Sequence, residues 1–60
     1  MRQKLEDAAI DCRSVTLPGT AIYVNQIKRI AYEVAEQFRR MATIKVAGND
    51  VVVSFMMWAA

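Results

Sequence analysis

The stretch RSVTLPGTAIYV, residues 13–24, admits two readings that lead to different folds. Residues 13–17 alternate polar and apolar up to Pro18, whose ring biases Leu17 toward extended geometry, so a short strand is expected before the Pro18-Gly19 break. If residues 21–24 are extended as well, the stretch closes into a hairpin and the chain carries four strands, a reading favoured by the β-branched Ile22 and Val24. If Tyr23 and Val24 belong instead to the segment that follows, the order is helix, extended link, helix, hairpin. The second reading is preferred, because both residues fall on the apolar stripe of that segment.

The segment is NQIKRIAYEVAEQFRRM, residues 25–41, in which Ile27, Ile30, Ala31, Val34, Ala35, Phe38 and Met41 recur at steps of three and four. This periodicity predicts a long amphipathic helix ending at about Met41 and starting near Thr20 or at Asn25 acting as N-cap. Arg29 with Glu33 and Glu36 with Arg40 are spaced as i,i+4 ion pairs on its solvated side. Arg39 and Arg40 fall in the last turn, where positive charge suits the negative end of the helix dipole.

Beyond Met41 the period changes to two, and residues 43–58 read as an antiparallel β-hairpin turning within Gly48-Asn49-Asp50. With Gly48-Asn49 as the turn, Val46 faces Val51, Ile44 faces Val53 and Ala42 faces Phe55. With Asn49-Asp50, Val46 faces Val53 and Ile44 faces Phe55. Either turn puts Ile44, Val46, Val51, Val53, Phe55 and Met57 on one face, expected to lie on the long helix. The other face carries Thr43, Lys45, Ala47, Val52, Ser54, Met56 and Trp58. Toward the amino end, Leu5, Ala8, Ala9 and Cys12 are spaced as a short first helix of small residues. The expected fold class is therefore α+β in a single domain over residues 1–60: a short helix, then a long amphipathic helix packed on a C-terminal antiparallel hairpin.

A chain of 60 residues buries only about 60% of its unfolded surface and usually needs a disulfide, a metal or association to reach adequate stability. A single cysteine forms no internal disulfide, and one thiol without any histidine lacks the donor spacing of a zinc site, so no metal or other cofactor is expected. Association remains, and with 55% hydrophobic residues the chain is expected to be a homo-oligomer, most simply a dimer whose sheet continues across the interface. The amino end lacks an apolar run of secretory type, and residues 51–60 fall short of the roughly 20 apolar residues that span a bilayer. No membrane association is expected, and the lone thiol suits the cytoplasm.

No nucleophile-base pair or glycine-rich phosphate loop is present, and Cys12 reads as a small core residue, so the protein is expected not to be an enzyme. Asp7 and Asp11 share a helix face and read as a solvated acidic surface rather than a cation site. The expected function is that of a small interaction protein, a regulator or inhibitor that self-associates and binds a protein partner. Its anchors are Val52, Met56 and Trp58 on the outward sheet face, unless the first helix or residues 13–17 fold over them. Compactness without catalytic residues would also suit an inhibitor of mobile-element origin. The alternative is a dimeric nucleic-acid-binding regulator using Lys28, Arg29, Tyr32, Arg39 and Arg40, consistent with a net charge of +2 and a pI near 9.0. Glu33 and Glu36 on the same surface weigh against it.

Overall fold

The computed structural model describes residues 2–19 and 21–58. In chain order they form α1 (Arg2–Ile10), β1 (Ser14–Pro18), α2 (Ala21–Phe38), β2 (Arg40–Ala47) and β3 (Asp50–Met57). The stretch 13–24 thus divides into a strand and the start of a helix, and the four-strand reading is excluded. Asn25 lies inside α2, not at its cap; the start placed at Thr20 lies outside the described residues.

The sheet has the order β1-β3-β2 and is antiparallel at both junctions. β1 and β2 therefore run the same way, joined through α2, with β3 inserted between them. The β2–β3 register pairs Val46 with Val51, Ile44 with Val53 and Ala42 with Phe55, leaving Gly48 and Asn49 as the two-residue turn. Gly48 takes φ 62° at the first central position while Asn49 does not enter positive φ, the sign pattern of a type II′ hairpin turn. The expected hairpin is thus only part of the sheet: β1 pairs along β3, setting Val15 against Val53 and Leu17 against Val51.

Both helices cover one face of this sheet, α1 over β1 and β3 and α2 mainly over β2. Between the layers Leu5, Ala8, Ala9, Leu17, Ile27, Ala31, Val34, Ala35, Val51, Val53 and Phe55 are buried, with Val24, Ile30, Phe38 and Ile44 half-buried around them. The helical stripe and the strand alternation meet as expected. Ala8 and Ala9 on α1 and Ala31 and Ala35 on α2 are small members of the same core, which lets two helices and a three-stranded sheet close over little volume.

Several expectations are corrected. Val46 and Met57, assigned to the core face, are 54% and 63% exposed, because they stand at the two ends of the hairpin beyond the reach of the helices. Tyr23, assigned to the helical stripe, is also exposed. α2 stops at Phe38, not Met41, because Arg39 adopts φ 56° and its N–H closes onto Glu36 O at 3.2 Å, ending the helix with a left-handed residue. Cys12 lies outside α1: it takes φ 55°, its N–H reaches Ala9 O at 3.2 Å, and Arg13 N–H reaches Ala8 O at 2.8 Å. Those two bonds are the Schellman pattern with Cys12 at C′. Both helices therefore turn sharply into strands on a left-handed non-glycine residue, which a stripe of apolar spacing does not reveal.

Candidate functional site

The face of the sheet away from the helices carries no element among the described residues. Its side chains fall in cross-strand rows set by the register. Pro18, Asp50 and Ala47 form the first row; Thr16, Val52 and Lys45 the second; Ser14, Ser54 and Thr43 the third; Met56 and Met41 the fourth. Ser14 and Ser54 share a hydrogen bond between their hydroxyl oxygens at 2.8 Å, so the third row is a polar belt across the sheet. Beyond the fourth row the pleat alternation assigns Trp58 to the same side.

Of the three expected anchors, the structure brings two together. Met56 and Trp58, each 52% exposed, lie at one end of this face, whereas Val52 is half-buried between Thr16 and Lys45 on the far side of the hydroxyl belt. The third member of the apolar end is Met41, directly opposite Met56 and 49% exposed. Sequence reasoning placed Met41 on the helix. The signal that would have found it is the strand alternation Met41, Thr43, Lys45 extended back by two residues. Neither α1 nor residues 13–17 covers this face, since α1 joins the helical layer and β1 extends the sheet alongside β3.

The five basic-face residues are divided. Lys28, Arg29 and Tyr32 are exposed on α2, and Arg39 is exposed at the turn that follows it. Arg40 is withdrawn. As the first residue of β2 it points to the helical layer, donating from Nε to Ala9 O at 3.0 Å and from Nη1 to Phe38 O at 2.9 Å and to Arg39 O at 3.4 Å. Its positive charge still sits at helix C-termini, as the dipole argument required, but it is held there by its own side chain from the strand. Glu33 is engaged by Arg2 Nη1 at 3.3 Å rather than by Arg29, and Arg2 also reaches Gln37 Oε1 at 3.3 Å and Glu6 Oε2 at 3.6 Å. These contacts fasten α1 along one flank of α2.

Chemistry of other kinds finds little to stand on. Among the described residues no three of Cys, Asp and Glu converge into a cation-binding group, and Asp11 is paired with Arg13 at 3.2 Å. Cys12 is half-buried in its left-handed turn. None of the described helices is long and apolar enough to cross a membrane. Comparison with protein-family models, curated proteins and solved structures finds no match to the chain.

Proposed function

We propose that this is a small non-enzymatic protein that acts by binding a protein partner on the open face of its sheet, with Met41, Met56 and Trp58 as anchors. The observation that carries the reading is the Met41–Met56 cross-strand pair, half-exposed on a face that the described residues leave uncovered. Methionine side chains adapt to a partner's contour, and tryptophan is among the residue types that dominate binding energy at protein interfaces. The polar belt of Ser14, Ser54 and Thr43 bounds the patch, as a polar rim bounds an apolar centre. Val52 falls outside this reading. The single cysteine fits a reducing, cytoplasmic setting.

The nucleic-acid reading has lost Arg40 to carbonyl groups of the helical layer, and its remaining residues Lys28, Arg29, Tyr32 and Arg39 share their surface with Glu36. Protein binding is therefore preferred. The test is affinity capture with the tagged chain, compared with Met56→Asp, Trp58→Asp and Lys28→Glu. A partner retained by wild type and Lys28→Glu but lost by both aspartate variants supports the reading. An identical capture profile in all four, or salt-sensitive oligonucleotide binding abolished by Arg29→Glu, sinks it.

A further inference from the structure

The two outer strands of the sheet differ in how they end it. β1 has five residues and closes on Pro18, which has no N–H to donate, a common device for blunting an edge. β2 has eight residues and no proline, and its outer edge is unpaired among the described residues. We propose that a second copy of this chain pairs antiparallel with that edge about a two-fold axis at Ile44, joining two three-stranded sheets into one of six strands.

Charge and burial select the register. In a two-fold β2 pairing one residue stands opposite its own copy, and like charges directly opposed are destabilising, so Lys45 is excluded from the axis. With Thr43 on the axis, exposed Val46 would face the second copy's Arg40, whose guanidinium is already committed to Ala9 O and Phe38 O. With Ile44 on the axis, Lys45 faces the second copy's Thr43, and Val46 faces the second copy's Ala42. The stripe of half-buried Ala42 and Ile44 and exposed Val46 then continues from one copy into the next.

The helical layer is compatible with the same axis. Glu33 and Gln37 mark the flank of α2 held by Arg2 of α1, so Lys28, Tyr32 and Glu36, at steps of four, belong to the flank that faces away from α1. Ile44 stands about 13 Å along β2 from Arg40 at roughly 3.3 Å per residue, which at about 1.5 Å per residue of helix reaches the turn of α2 that contains Tyr32. An antiparallel copy of α2 with Tyr32 at the axis places Lys28 opposite the second copy's Glu36, and does so twice by symmetry. The assembly requires each α2, seated mainly over β2, to lean by about half a strand spacing toward β3, which sets the two helices about 10 Å apart, a normal packing distance. The open sheet face stays free, so this assembly and the binding of a partner at Met41, Met56 and Trp58 are independent.

Sedimentation of the full chain tests the inference. Wild type is expected to be a dimer, Lys28→Glu to weaken it by about tenfold through repulsion at two symmetric contacts, and Lys28→Glu with Glu36→Lys to restore it. In a Cys12→Gly background, Tyr32→Cys should oxidise to a covalent dimer while the equally exposed Tyr23→Cys should not. A monomer at about 100 μM, a concentration at which a specific interface of ordinary size is populated, overturns the proposal. So does a dimer in which the charge-swapped double variant is no tighter than Lys28→Glu alone.

Discussion

Arg40 Nε donates to the carbonyl oxygen of Ala9 at 3.0 Å, tying the first residue of β2 to the end of α1 across 31 positions of sequence. The same guanidinium takes Phe38 O at 2.9 Å, so one side chain satisfies carbonyls at the C-terminal ends of both helices. A part-buried, charge-assisted pair of this kind contributes about 1.5–3 kcal/mol. Arg40→Ala is accordingly expected to lower unfolding stability by about 2 kcal/mol in urea titration. Arg40→Lys should recover only part of it, because a single ammonium does not reproduce the fork that spans both carbonyls. Equal stability of Arg40→Ala and wild type would show that these bonds contribute nothing net.

The two left-handed turns make a prediction of opposite sign. Cys12 at φ 55° and Arg39 at φ 56° occupy a conformation that costs a residue with a β-carbon roughly 1 kcal/mol and costs glycine nothing. Cys12→Gly and Arg39→Gly are each expected to raise stability by about 0.5–1 kcal/mol, and together nearly additively, since the sites belong to different helix ends. Cys12→Ala, which removes the thiol but keeps the β-carbon, should not stabilise. Thermal unfolding of the three variants separates the backbone effect from any role of the sulfur.

Gly19 is needed for space rather than for a positive φ. A β-carbon there would stand 2.8 Å from Val51 Cγ2 and 3.4 Å from Ile27 Cδ1, in the centre of the core, while Gly19 N–H donates to Asn49 O at 2.9 Å. Gly19→Ala is expected to cost about 1–3 kcal/mol by overpacking. In a double-mutant cycle with Val51→Ala the loss in the double variant should fall short of the sum of the two single losses by more than about 0.5 kcal/mol, since removing the valine methyls vacates the space the new methyl needs. Strict additivity would place the strain elsewhere.

The exposed residues proposed as anchors should behave differently from the core. Met56 has its neighbour Met41 at the surface and no element over it among the described residues, so Met56→Asp is expected to change stability by less than about 0.5 kcal/mol. Phe55, its immediate neighbour in sequence, is 2% exposed, and Phe55→Ala should cost about 3–5 kcal/mol. Urea titration of this pair tests the assignment of faces residue by residue, and it also ensures that lost partner capture by Met56→Asp is not lost folding.

Residue spacing alone sufficed for the presence of α2 and of the hairpin and for the faces of its strands, because these rest on local periodicity: a 3.6-residue stripe from Ile27 to Phe38 and a two-residue alternation from Ile44 to Phe55. Spacing leaves the register open between Gly48-Asn49 and Asn49-Asp50, which give the same faces, and the structure selects the former with Gly48 at φ 62°. The partition of β3 into Val51, Val53 and Phe55 inward and Val52, Ser54 and Met56 outward follows from the same alternation. The outward, exposed placement of Met56 and Trp58 is therefore legible in the sequence. The tertiary structure was required wherever the answer depended on a partner distant in sequence. β1 pairs with β3 and turns it from an edge into the centre strand; Arg40 leaves the solvated face for carbonyls of the helical layer; and Met41 becomes the cross-strand neighbour of Met56 once α2 stops at Phe38. The helix ends escaped the pattern because a left-handed Cys12 or Arg39 is chosen by the path the chain must take into the sheet, against the intrinsic preference of both residues.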